Sequence, residues 1–206
     1  MIQIKVANLE KKFESNGSTI SVISSFNYEF VQGRVYLIKA DSGVGKSTLL
    51  HLIGGLDVPT NGTISISPQA ALPGVLFGFV FQDHNLLPEF SVEENLKLPL
   101  LAQGCSSNFI NNRIDELLAR FDLINLKNHY PNQLSGGQRQ RVAVIRAAIA
   151  QPSFILADEP TASLDEKNSL LVKELFLELH KLGMGLIISS HQSLFDDMAD
   201  EVIKLG

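Results

Sequence analysis

Leu134-Ser135-Gly136-Gly137-Gln138-Arg139-Gln140 is the stretch on which the reading of this chain turns. Two adjacent glycines stand directly behind a small hydroxyl residue and open an apolar helix, predicted over Val142 to Ala150. Bare backbone N–H groups at the positive end of a helix favour an anion, most naturally a phosphate. Taken alone, Ser-Gly-Gly also reads as an ordinary flexible helix start. What precedes and follows it decides between the two.

Upstream, Val35-Tyr36-Leu37-Ile38 reads as a short buried strand. Ala40-Asp41-Ser42-Gly43-Val44-Gly45-Lys46-Ser47-Thr48 follows, then a helix from Leu49 to Ile53 stopped by Gly54-Gly55. Strand, glycine-rich turn and helix are the context of a phosphate loop. Its backbone N–H groups cradle phosphates, Lys46 reaches the β and γ oxygens, and the Ser47 hydroxyl can ligate Mg²⁺. The strict pattern has glycine where this chain has Ala40.

Downstream, Phe154-Ile155-Leu156-Ala157 is a fully apolar strand followed at once by Asp158-Glu159-Pro160. Carboxylates at the C-terminal edge of a buried strand sit where parallel α/β sheets bind ligands. A solvated acidic turn is the alternative, and the absence of apolar–polar alternation before it argues against that. Ser163-Leu164-Asp165 caps a helix predicted to about Leu182, with Leu170, Leu171, Leu175, Leu179 and Leu182 on its apolar face. Leu186 to Ser190 is one more buried strand, and His191 stands at its end. A lone histidine there is as often structural as functional.

The remaining segments complete the frame. Residues 2–6 alternate and read as an edge strand, and 20–31 have strand composition. Phe13 reads locally as a core or staple aromatic, and Gln82 as a polar residue closing the strand Phe79-Val80-Phe81. Residues 84–134 read as an inserted helical subdomain. Ser91-Val92-Glu93-Glu94 has capping-box spacing, and Ile110, Ile114, Leu117, Leu118 and Phe121 fall on one helical face.

Composition narrows the classes. With 206 residues, 45% hydrophobic and 19% charged, the chain reads as one globular domain. A net charge of −5 argues against wrapping nucleic acid or adhering to anionic lipid. Cys105 is the only cysteine, so no internal disulfide can form, and a reducing compartment fits. Met1 to Lys5 lacks the apolar core of a signal peptide, and runs such as Val75 to Phe81 are too short to span a bilayer. Any membrane role calls for a partner protein.

The order of phosphate loop, Gln82, Ser-Gly-Gly-Gln, Asp158-Glu159, Ser163-Leu164-Asp165 and His191 resembles the ATP-binding-cassette (ABC) ATPases along essentially the whole chain. Gly54 to Gly62 and Phe79 to Pro88 are similar to the branch that includes lipoprotein-releasing systems, macrolide-type exporters and a cell-division ATPase. The resemblance implies an α/β P-loop core with a mainly parallel sheet, an antiparallel β subdomain and the inserted helical subdomain. It implies an ATPase that uses ATP and Mg²⁺ and energises a membrane transporter, exporting or extracting lipophilic or peptide-like cargo. A non-transport complex of the cell-division or envelope-signalling type is the alternative.

Residue by residue, the resemblance has Phe13 stacking on adenine and Ser42, Gly43, Val44, Gly45, Lys46, Ser47 and Thr48 holding phosphates. It has Ser47, Gln82 and Asp158 around Mg²⁺, Glu159 as general base or water-orienting carboxylate, and His191 on the γ-phosphate. Ser135, Gly136, Gly137, Gln138 and Asp165 would contact ATP bound to the opposite subunit. The implied partners are a second ATP-binding subunit and an integral-membrane permease docking near Gln82 to Pro88, with no nucleic acid. The implied location is the inner face of the cell membrane, on its cytoplasmic side. Ala40, Arg34 and Ile145 depart from the pattern, and none removes a catalytic side chain.

Overall fold

Apolar and polar residues alternate along the N-terminal segments, as they do in strands with one buried face. In the computed structural model, which describes residues 1–15, 18–41, 43–68 and 75–205, these segments form β1 (Gln3–Ser15) and β2 (Ser18–Val31). β3 (Val35–Lys39) leads into α1 (Lys46–Ile53), followed by β4 (Asn61–Ser67) and β5 (Phe77–Val80). Three helices come next: α2 (Val92–Ala102), α3 (Ser107–Arg120) and α4 (Gly136–Ala148). β6 (Phe154–Asp158), α5 (Glu166–Lys181), β7 (Gly185–Ser189) and β8 (Glu201–Lys204) complete the order.

Two sheets result. β1 pairs antiparallel with both β2 and β4, in the order β2-β1-β4. The edge strand expected at residues 2–6 is therefore a central strand. Alternation within a strand shows which face is wet, but not which strands flank it, and β4 arrives only after α1. The second sheet is parallel throughout, in the order β5-β6-β7-β3-β8.

The parallel strands are buried on both faces, which explains their unbroken apolar sequences. Tyr36, Ile38, Leu156 and Ile187 pack with Leu49 and Leu50 of α1 and with Ile4 of β1. Their neighbours Leu37, Ile155 and Ile188 face the opposite way, towards Val144 of α4 and Phe176 of α5. One sheet thus separates two apolar layers and holds its strand ends in register.

Helix starts follow local chemistry. Ser91 and Glu94 form the expected capping box of α2, and Ile110, Ile114, Leu117 and Leu118 of α3 are buried as expected. On α5 the buried stripe is Val172, Leu175, Phe176 and Leu179, whereas the expected Leu170 and Leu182 are exposed. Both stripes satisfy the helical period. The sheet beneath selects the one that carries Val172 and Phe176. No helix among the described residues is long and apolar enough to cross a membrane.

Candidate functional site

The strand ends of β3, β6 and β7 meet at one edge of the parallel sheet, where ligands bind in such folds. After β3 the chain turns through Gly43 at φ 83° and Gly45 at φ 105°, and Lys46 and Ser47 begin α1. Gly45 is required twice over. Its φ is left-handed, and a Cβ there would lie 2.7 Å from Val22 Cγ1. Ala40 is not among the described residues with positive φ, so its backbone does not call on glycine's conformational freedom.

Gly43, Gly45, Lys46, Ser47 and Thr48 line a cavity of about 290 Å³ together with Gln82, Glu159 and Val22. Val44 lines an adjoining cleft of about 500 Å³ that shares Val22. Ser42 lies outside the described residues. Lys46 is buried, and its Nζ donates to the carbonyl oxygens of Ala40 (2.9 Å) and Asp41 (3.3 Å). The same nitrogen stands 3.4 Å from Glu159 Oε1. On the far side of that carboxylate, Glu159 Oε2 is 3.0 Å from His191 Nδ1. The Glu159 carboxylate thus bridges the Lys46 ammonium at the cavity wall and the His191 imidazole, which lines a neighbouring cleft with Ala40 and Asp41.

Ser189 at the end of β7 fixes both acids. Its Oγ donates to Asp158 Oδ1 at 2.6 Å, and the Glu159 N–H donates to Ser189 O (3.1 Å) and Oγ (3.0 Å). Glu159 takes a left-handed φ of 43°, which costs a non-glycine residue on the order of 1 kcal/mol. That turn sends Asp158 inward, where it is buried, and leaves the Glu159 carboxylate over the phosphate loop. Nothing in the local sequence marks Ser189. Only its place opposite Asp158 in the β6–β7 pairing does.

The glycine pair of α4 belongs to a second cluster. Ser135 is the N-cap: its Oγ accepts from Gln138 N at 3.2 Å, and Gln138 Oε1 accepts from Ser135 N at 2.8 Å. A Cβ on Gly137 would overlap the amide of Asn168 and stand 2.7 Å from its Cβ. Asn168 in turn donates to Asp165, the N-cap of α5, from its backbone (2.8 Å) and its amide (3.0 and 2.9 Å). These hydrogen bonds hold the Asp165 carboxyl below the usual aspartate range. The N-termini of α4 and α5 therefore lie side by side, and neither glycine lines the cavity around Lys46.

Phe13 is also outside that cavity. It is 42% exposed on the β1–β2 ribbon, so it is not the core aromatic that its local sequence suggests. The loop after Gln82 turns through His84 (φ 67°) and Asn85 (φ 48°). Arg146 of α4 donates to both of their carbonyl oxygens, and His84 Nε2 donates to Gly136 O at 3.1 Å. Buried Asn95 then holds the next turn through bonds with Leu87, Phe90 and Ser91. Leu86 packs inward against the helical core, and Leu87 and Phe90 are the large apolar side chains the loop exposes, with Pro88 between them.

Comparison with known proteins accords with this arrangement. Residues 23–162 match the ABC transporter family. The chain is 39% identical to the lipoprotein-releasing system ATP-binding protein LolD of Legionella pneumophila, over 96% of this chain and 92% of that one. It is 36% identical to the LolD of Pseudoalteromonas translucida, over 98% of this chain and 91% of the relative. Among solved structures it superposes with a TM-score of 0.88 on the ATP-binding cassette MJ0796, described as a dimer bound to ADP and Pi. The two share 34% sequence identity over 98% of this chain and 94% of that one. With a glycine-bearing turn from β3 into α1, paired acids at the end of β6 and a match of this extent, the chain belongs to the ABC transporter family as an ATP-hydrolysing cassette.

Proposed function

We propose that this cassette drives a membrane complex that releases lipoproteins or similarly lipid-bearing cargo, and that Lys46, Glu159 and His191 carry its chemistry. The observation that supports the roles most directly is the contact series from Lys46 and Glu159, which line the cavity, to His191 beside it. Near full-length similarity to lipoprotein-releasing ATP-binding proteins supports the cargo.

Lys46 would leave the Ala40 and Asp41 carbonyls for the β and γ oxygens of ATP, exchanging two dipoles for a doubly bonded anion. Glu159 would orient the attacking water and accept its proton, with His191 holding the γ-phosphate beside it. Ser47, Gln82 and buried Asp158 present hydroxyl, amide and carboxylate oxygens, a donor set suited to Mg²⁺ that keeps water and substrate oxygens as ligands. When bound, Mg²⁺ neutralises charge on the transferring phosphoryl group.

Because Ser135 and Gly137 lie away from the Lys46 cavity, two chains facing head to tail would each cover the other's ATP. The exposed Leu87 and Phe90 are the docking surface we assign to the permease, and residues 84–134 form the helical lobe that carries it. The test is a pair of variants. Lys46→Ala should lose ATP binding. Glu159→Gln should bind ATP yet turn over at least about a hundredfold more slowly, since an amide cannot take the proton. Wild-type turnover in Glu159→Gln would refute the assigned base.

A further inference from the structure

Lys11 and Phe13 are two residues apart on β1, where the register against β2 shifts between Lys11 and Lys12. The Lys11 ammonium lies 4.9 Å from the centroid of the Phe13 ring, within cation–π range. Lysine is ordinarily mobile and well hydrated, but this one is fixed. Its Nζ donates to Asp57 Oδ1 and to the Val58 carbonyl oxygen, both at 2.8 Å, and its side chain is only 12% exposed. The loop that supplies those acceptors is itself tied to the strand. Thr60 N donates to Glu10 O at 2.8 Å, and Lys12 N donates to Thr60 Oγ1 at 3.0 Å. One face of the Phe13 ring is therefore covered by an anchored cation, while the residue as a whole remains 42% exposed.

We propose that Lys11 is a positioning residue for the nucleotide base: anchored by Asp57 and Val58, it occupies one face of Phe13 and leaves the other for a purine to stack on. This rests on the reading of Phe13 as the base-stacking residue. The cation draws electron density to its own side of the ring, which favours an electron-rich base on the opposite side. It also limits rotation of the ring, so less side-chain freedom is lost when the base arrives. The arrangement explains why an exposed aromatic is held in place without a core around it. Every base has a π-face, so Lys11 supports affinity and does not choose between adenine and guanine.

The experiment is calorimetric titration of Mg-ADP and of Mg-tripolyphosphate, which has no base, into wild type, Lys11→Met, Phe13→Ala and the double variant. Lys11→Met should weaken ADP about two- to fivefold, the size of an exposed cation–π contact. Phe13→Ala should weaken ADP about tenfold or more. Adding Lys11→Met to Phe13→Ala should change nothing further, and tripolyphosphate affinity should hold in all four proteins, which also shows that the phosphate loop is intact. Equal losses from Lys11→Met with and without Phe13, or a parallel loss for tripolyphosphate, would overturn the proposal, because Lys11 would then act through strand packing. A neutral Lys11→Met beside a damaging Phe13→Ala would overturn it alone. A neutral Phe13→Ala would overturn the base-stacking reading and this inference together.

Discussion

Gly137→Ala isolates one contact on which the arrangement of α4 against α5 depends. The added methyl would overlap the Asn168 amide, which could swing away at modest cost, but it would also stand 2.7 Å from the Asn168 Cβ. Rotation of a side chain cannot move its own Cβ, so the two helices must part. Overpacking of this kind costs about 1–3 kcal/mol. Displacing the Asn168 amide also disturbs its two hydrogen bonds to Asp165, about 0.5–1.5 kcal/mol more, while the backbone N–H cap, internal to α5, persists. A total of about 2–4 kcal/mol should lower Tm by roughly 5–15 °C in a domain of this size. Differential scanning calorimetry on Gly137→Ala, Asn168→Ala, Asn168→Gly and the two double variants would resolve the terms. Asn168→Ala should rescue Gly137→Ala only in part, because its Cβ remains. Asn168→Gly should rescue it further, less about 1 kcal/mol for glycine inside a helix. A Gly137→Ala protein with Tm within about 1 °C of wild type, or additive losses in both double variants, would refute the reasoning.

Three further outcomes follow from the site. Glu159→Gln with Mg-ATP should sediment as a dimer, and adding Ser135→Arg should return it to monomer by filling the space in front of the α4 N-terminus; a dimer that survives Ser135→Arg would refute the head-to-tail arrangement. Leu87→Asp combined with Phe90→Asp should abolish co-purification with the permease while ATP binding by the isolated chain persists, since both side chains are exposed and neither lines the cavity around Lys46. The Asp165 carboxyl is depressed first by the Asn168 backbone N–H and then by its side chain, so its contribution to stability is complete above the unfolded aspartate value and fades as pH falls through the lower folded one. Asp165→Asn, an equally good cap, should therefore flatten the loss of Tm below about pH 4 and leave Tm at pH 7 nearly unchanged; an unaltered acid limb would contradict this.

Some of this protein could be read from the linear chain because the relevant physics is local. Gly43, Gly45, Lys46 and Ser47 announce a phosphate loop, since positive φ and a helix start are properties of adjacent residues. The caps at Ser91 and Asp165 were legible for the same reason, as hydrogen bonds reaching three residues along the chain, whereas α4 begins at Gly136 under a Ser135 cap, about a turn and a half before the predicted Val142. The unbroken apolar runs of β3, β6 and β7 specify a doubly covered parallel sheet, and Asp158-Glu159 at the end of one marks its ligand edge.

Tertiary structure decided whatever depends on partners distant in sequence. Periodicity allows several stripes on α5, and the sheet selected Val172 and Phe176 over Leu170 and Leu182. Phe13 is exposed, against its local reading, and only the tertiary structure brings up the loop whose Asp57 and Val58 anchor the lysine over one face of its ring. Ser189 binds both acids only because β7 runs beside β6. Gly137 must be bare because α5 brings Asn168 against it, a close approach set by helix packing and invisible in Ser-Gly-Gly-Gln itself.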